Sequence, residues 1–158
     1  MPAHRYPAGK YTYYQYADDI ESGKINSCEA IKLAVKRFKD WFKRDDIYFD
    51  EEDVNRGISF IAKFKHSTGQ FSGKPFILLP WQQWIVANIY GWKWKETNLR
   101  VTNKVFIMIS RKNGKTAFAS ALAIMGAVAD REKGAEVYML ANSRQQAKIC
   151  FKMASDYV

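Results

Sequence analysis

The sequence predicts an α/β fold on three observations. The first half sets apolar residues at helical spacing among charged ones. The second half contains two short β-rich runs, at 104–109 and 135–140. Each run is followed by a stretch of helical character. Strand, loop, helix, strand, helix over 104–158 is a βαβα order, and such units build parallel sheets covered on both faces. The expected architecture is therefore a helical N-terminal region over 1–75, then a partial βαβα unit within 76–158 whose parallel sheet is incomplete.

The elements follow in chain order. A short helix is expected from Tyr11 to Ser22, closed by Gly23. A longer one is expected from Ser27 to Arg44, with Ser27 as cap and Ala30, Ile31, Ala34, Val35, Phe38, Trp41 and Phe42 on its apolar face. Lys32, Lys36, Lys39 and Lys43 fill the opposite face and read as a solvated surface. A third helix spans Asp50 to about Lys65, its four leading acids suited to the positive end of the helix dipole. The polar stretch 67–73 is a loop. Phe76 to Pro80 is extended, because the residue before proline avoids the helical region, and Trp81 to Tyr90 is a helix. Lys104 to Ile109 is the first strand candidate, Thr116 to Asp130 a small, apolar helix, and Ala135 to Leu140 the second strand candidate. Ser143 then opens a helix, with Gln146 three residues on at capping-box spacing. Two parallel strands leave an unpaired edge, which 96–103 is expected to cover as an added strand unless the chain associates.

Composition narrows the function classes. The chain has 158 residues, 47% of them hydrophobic and 15% aromatic, which excludes disorder as its main state. Its formal net charge is +9, weighted toward the second half, and a surplus of that kind suits a polyanionic partner. Two cysteines, Cys28 and Cys150, make no disulfide framework and fit a reducing compartment. His4 and His66 lie far from any cysteine pair, so no zinc ligand set is present. No signal-peptide pattern opens the chain. The longest nearly apolar run, 117–129, is too short to span a bilayer, so no membrane role and an intracellular location are expected.

The chemistry concentrates between the first strand candidate and its helix, at Ser110-Arg111-Lys112-Asn113-Gly114-Lys115-Thr116. A loop at a helix N-terminus can wrap backbone N–H groups around phosphate oxygens, where the dipole and the unpaired donors both favour anions. Gly114 lets the backbone approach closely, Lys115 reaches the β- and γ-phosphates, and Thr116 offers a hydroxyl to Mg²⁺. Ser110, Lys112 and Asn113 complete the cradle. The general phosphate-loop pattern has a glycine five residues before Gly114, where this chain has Ile109. The other reading of the loop is a basic turn capping an ordinary helix.

In this form the loop resembles the deviant Walker A loop of the large terminase subunit, the DNA-packaging ATPase of tailed bacteriophages. In that family the first glycine is commonly missing and an arginine stands where Arg111 stands. Leu79-Pro80-Trp81-Gln82-Gln83-Trp84, followed by Tyr90-Gly91-Trp92, is similar to the family's adenine-side segment. Ala141-Asn142-Ser143-Arg144-Gln145-Gln146-Ala147 is similar to its Ala-x-Ser-x-x-Gln-Ala at the end of the next strand. The resemblance covers residues 60–158.

It implies a partial phosphate-loop NTPase fold with ATP and Mg²⁺ as ligands. Gln82 or Gln83 would read adenine through its bidentate amide, and Trp81 would either stack on the base or belong to the core. Arg111 would act in cis on the γ-phosphate, or only raise the local potential with Lys112. Arg144 would contact DNA or relay the nucleotide state, unless it is a plain surface arginine. The implied partners are double-stranded DNA, a portal protein, a small terminase subunit and further copies in a homo-oligomeric ring, in the cytoplasm of the bacterial host.

The basic residues Lys93, Lys95, Arg100, Lys104, Arg111, Lys112 and Lys115, interleaved with Trp92 and Trp94, are a candidate grip on a DNA backbone. No strand-ending pair of acids follows Leu140. Turnover by this class needs one carboxylate for Mg²⁺ and another for the attacking water. The expectation is thus a fragment of a longer ATPase, lacking those acids and the nuclease domain, that binds nucleotide without hydrolysing it. The competing expectations are a basic nucleic-acid-binding module with a vestigial loop, and a helicase-type phosphate-loop ATPase.

Overall fold

The computed structural model describes residues 12–66, 71–130 and 133–157. Its elements are helices α1 (Thr12–Glu21), α2 (Glu29–Trp41), α3 (Glu51–Ile61), α4 (Pro80–Tyr90), α5 (Lys115–Ile124) and α6 (Arg144–Ser155), with strands β1 (Ile47–Phe49) and β2 (Trp92–Trp94). A π-helical turn, Met125–Ala129, continues α5 directly. Each expected helix is present to within a few residues. Of the expected 67–73 loop, residues 67–70 lie outside the described residues, as does Tyr11. Among the described residues, no helix is long and apolar enough to cross a membrane.

The chain forms two compact units, with the boundary inside α3 between Arg56 and Gly57. The first comprises 12–56 and 78–105 of the described residues. There α1 packs on α2 and α4, burying Tyr13, Ala17, Val35, Phe38, Trp84, Val86 and Ala87. Trp92 lies at the centre of an aromatic cluster. Its ring centroid is 4.9 Å from Phe49, 5.4 Å from Trp41 and 5.7 Å from Phe38. Such tilted and edge-on pairs match the positive rim of one ring to the negative face of the next.

Strands β1 and β2 pair antiparallel, Ile47 opposite Trp94 and Phe49 opposite Trp92. Gly91 stands where this ribbon meets α4. Its carbonyl accepts from Asp50 N–H at 2.7 Å, and a Cβ there would overlap the Phe49 ring and come within 2.7 Å of the Ala87 carbonyl.

Beneath β2, Lys93 donates to Asp50 at 2.7 Å and to Asp53, while Arg56 pairs with Asp53 at 2.5 Å. Burial alone would lower the Lys93 ammonium and raise the Asp50 carboxyl. Burial is the largest single influence on each, but the hydrogen bonds and opposite charges around the pair together outweigh it, holding Lys93 above and Asp50 below its usual range. Lys93 is thus committed to internal carboxylates, which removes it from the expected DNA-gripping cluster. Arg100 lies against the Tyr90 ring, 5.2 Å from its centroid.

The second unit comprises 57–66, 71–77, 106–130 and 133–157 of the described residues. Helix α5 packs on α6, burying Phe118, Ser120, Ala121, Met125 and Ala154. Small residues let the two helices approach closely. The buried Ser120 hydroxyl donates to the Cys150 carbonyl at 2.9 Å and lies 3.2 Å from its sulfur. Residues 64–66 and 71–76 are tied together by backbone bonds, with Phe76 N–H on the Phe64 carbonyl and His66 N–H on the Lys74 carbonyl.

The expected strands 104–109 and 135–140 join no ladder, and the sheet found among the described residues is antiparallel and lies elsewhere. Burial alternates over 106–109, where Phe106 and Met108 are 87% and 86% exposed while Ile107 and Ile109 are half-buried, but it does not alternate over 135–140. A strand is defined by a neighbour that accepts and donates its backbone hydrogen bonds, and the segments' composition does not supply one. The expected covering strand 96–103 is also corrected. It turns back on β2, with Lys93 bridged antiparallel to Arg100 and Val101 N–H on the Trp92 carbonyl.

Candidate nucleotide site

The loop 110–114 ends on Gly114, which precedes α5 in the left-handed conformation at φ +70°. Space for a Cβ there is open, so glycine is favoured by the backbone alone. Lys112 is also left-handed, at φ +67°. A long side chain in that region costs about 1 kcal/mol, which the rest of the loop must offset. Asn113 supplies part of that compensation. Its amide donates to the Ser110 hydroxyl at 2.7 Å and lies 3.3 Å from the Arg111 carbonyl, tying the turn to its own start.

The N-terminus of α5 has no side-chain cap. The start of α6 differs, because there the Ser143 hydroxyl accepts from Gln146 N–H. The first four N–H groups of any helix lack an intrahelical partner, and at α5 these belong to Gly114, Lys115, Thr116 and Ala117. An anion at this end meets uncapped donors together with the positive end of the helix dipole. Arg111, Lys112 and Lys115 are exposed, and none of them forms an ion pair among the described residues. Thr116, half-buried in the first turn, adds a hydroxyl. Ser110 to Thr116 thus form a cationic loop with uncapped backbone donors, and among the described residues no carboxylate pairs with its three cations. Among the described residues, no cluster of three or more His, Cys, Asp or Glu side chains could hold a metal. A cation here would depend on the Thr116 hydroxyl together with a bound phosphate's oxygens, a donor set that suits Mg²⁺.

The residues expected on the adenine side lie in the first unit, on α4. Pro80 opens this helix, as its fixed φ favours. Gln82 is buried, and its side-chain oxygen accepts from Leu79 N–H at 2.8 Å, a helix-start bond. Gln83, also buried, donates to the Leu78 carbonyl at 2.9 Å. Both amides thus have structural work in holding the 78–83 turn. Trp81 is half-buried beside them. Arg144 is exposed as the first residue of α6.

Sequence reasoning missed Tyr157. Its ring stacks on Phe64 at 4.9 Å, nearly parallel, and its hydroxyl donates to the Ala117 carbonyl in the first turn of α5, at 3.3 Å. Burial raises its pKa to about 12, with smaller contributions from Cys150 and Asp156, so the hydroxyl stays a donor at neutral pH. Nothing in the local pattern around Ser155-Asp156-Tyr157 signals that contact.

Among known proteins, no curated sequence and no solved structure matches the chain significantly. A family model does match, over residues 80–158, and it describes the ATPase domain of the terminase large subunit. The match takes in the α4 turn, the cationic loop with its uncapped helix, and the capped start of α6, which are the three segments whose geometry is described above. It spans half of the chain, and the chain belongs to the terminase large subunit family through its ATPase domain.

Proposed function

We propose that the chain is an ATP-binding module of a DNA-packaging motor, and that the loop 110–116 holds the triphosphate. The observation that carries this reading is the left-handed Gly114 ahead of an uncapped α5, flanked by Arg111, Lys112 and Lys115, which have no carboxylate partners among the described residues. In this assignment the N–H groups at the start of α5 and the Lys115 ammonium bind the phosphates. Ser110, Lys112 and Asn113 shape and charge the loop, and the Thr116 hydroxyl holds Mg²⁺ with them. Bound Mg²⁺ supplies charge neutralisation on the phosphate oxygens. Arg111 acts in cis at the γ-phosphate, its planar and permanently charged group suited to developing phosphoryl charge. The resemblance assigns Trp81 and either Gln82 or Gln83 to the adenine, while the amides of both glutamines are engaged in the 78–83 turn.

Functionally the chain divides near residue 76, with a helical region before it and ATPase-domain sequence after it. The family match from residue 80 supports that division. The phosphate-loop βαβα order over 104–158 rests on the family match and on the strand-like alternation of 106–109. The partners that follow are double-stranded DNA, the portal protein, the small terminase subunit and other copies in a ring, within the host cytoplasm of a bacteriophage infection. The acids of the second unit's described residues, Asp130, Glu136 and Asp156, form no pair at a strand end, so binding without turnover is expected.

Calorimetric titration with Mg-ATP tests the reading. Binding by the 158-residue chain should be lost or weakened at least about tenfold in Lys115→Ala, which removes a charge-assisted phosphate contact. Equal binding by that variant would overturn the assignment. Duplex binding with a steep salt dependence and no nucleotide effect would favour a vestigial loop on a basic nucleic-acid module.

A further inference from the structure

We propose that Tyr157 is a positioning residue for the nucleotide site, acting on the Lys115 backbone N–H through a relay of two hydrogen bonds. The inference rests on the assignment of the loop 110–116 to phosphate.

The relay can be followed atom by atom. The Tyr157 hydroxyl donates to the Ala117 carbonyl at 3.3 Å. That carbonyl shares its peptide unit with the Phe118 N–H, which donates to the Gly114 carbonyl at 3.0 Å. The Gly114 carbonyl in turn shares its peptide unit with the Lys115 N–H, one of the uncapped donors at the head of α5. Each hydrogen bond polarises the peptide it ends on and so strengthens the next donor in the series. The Tyr157 hydroxyl therefore makes Lys115 N–H a better donor to an anion and fixes the plane of the first turn.

The ring is held for this task. Phe64 lies parallel to it and Phe76 stacks at 6.2 Å, both phenylalanines being buried. The Tyr157 N–H donates to the Ala154 carbonyl, anchoring the residue to the end of α6. Through Tyr157, Phe64, Phe76 and the end of α6 all bear on the phosphate-binding turn. Their packing against one another thereby becomes an input to the site.

Tyr157→Phe keeps the stacked ring and deletes only the first donor of the relay. Ser120→Ala is the control, because it removes another hydrogen bond between α5 and α6 one turn further from the loop. Mg-ATP affinity, melting temperature and the amide proton shift of Lys115 are measured on the full chain and both variants. The relay predicts that Tyr157→Phe weakens Mg-ATP about threefold or more and moves the Lys115 amide resonance in the nucleotide-free protein. Ser120→Ala should lower the melting temperature and leave affinity and that resonance in place. Unchanged affinity in Tyr157→Phe, with wild-type protein binding nucleotide, overturns the relay, as does an unmoved Lys115 resonance. Failure of the wild-type chain to bind overturns the nucleotide assignment itself and the relay with it, a result distinct from the other two.

Discussion

Replacing Lys93 by methionine removes the one ammonium that faces both Asp50 and Asp53. Their side chains are 12%, 22% and 17% exposed for Lys93, Asp50 and Asp53, so water screens them only in part. Taking about 4 Å between charge centres and an effective dielectric of about 20, one such pair has a Coulomb energy of about 4 kcal/mol. Desolvation takes back part of that, and Arg56 remains on Asp53. Stranding two carboxylates beside an apolar methionine then costs about 2–3 kcal/mol at neutral pH, which for a chain of this size lowers the melting temperature by about 5–10 °C. The pH dependence follows from the signs. Asp50 is held below its usual value, so its contribution is full above about pH 4 and fades as pH falls through the lower folded value. Lys93 is held above its usual value, so its contribution is full below about pH 10 and fades as pH rises through the higher folded value. Thermal melts of wild type and Lys93→Met from pH 3 to pH 10.5 should differ most on a plateau between these limits, with the difference beginning to narrow at both ends. A difference under about 1 °C at pH 7, or one that stays flat to pH 3, refutes the account.

Two glycine substitutions give contrasting tests. Gly91→Ala drives a methyl into the Phe49 ring and toward the Ala87 carbonyl, and should lower stability in urea by about 1–3 kcal/mol, shared between ring displacement and a shifted helix end. Gly114→Ala meets no neighbour and carries only the left-handed backbone cost of about 1 kcal/mol. Gly114→Asn should recover part of that stability, since asparagine tolerates the conformation. The order Gly, Asn, Ala in urea midpoints checks it, and Ala equal to Gly would place Gly114 elsewhere in backbone space.

The helices were legible because their signals are local. Ser143 and Gln146 announced the start of α6, and the hydroxyl does accept that N–H. The apolar spacing of 30–42 set α2, and Pro80 set α4. The position of the cationic loop was legible for the same reason, since Gly114, Lys115 and Thr116 stand at a helix end they themselves begin. The strands were not. Ile47-Tyr48-Phe49 and Trp92-Lys93-Trp94 are three residues each, too short for a periodic pattern, and their pairing spans more than forty positions. The runs 104–109 and 135–140 have strand composition but no ladder, since composition does not provide a partner. Lys93 was grouped with exposed cations because linear charge counting cannot see Asp50 and Asp53 arriving from another element. Tyr157 was invisible for the same reason.

The exposed runs 104–109 and 135–140 have a colloidal consequence. Phe106 and Met108, with Tyr138 and Leu140, present large apolar side chains of strand-like composition to solvent, the kind of surface on which one copy can add to another. Lys104, Arg111 and Lys112 bracket the first run as gatekeepers, and the net charge of +9 keeps like molecules apart. That repulsion acts over about 10 Å in 0.1 M salt and shortens as salt rises. A polyanion neutralising the same lysines and arginines would lift the brake locally. Occupancy of the basic surface and self-association of the chain are therefore coupled through one set of charges.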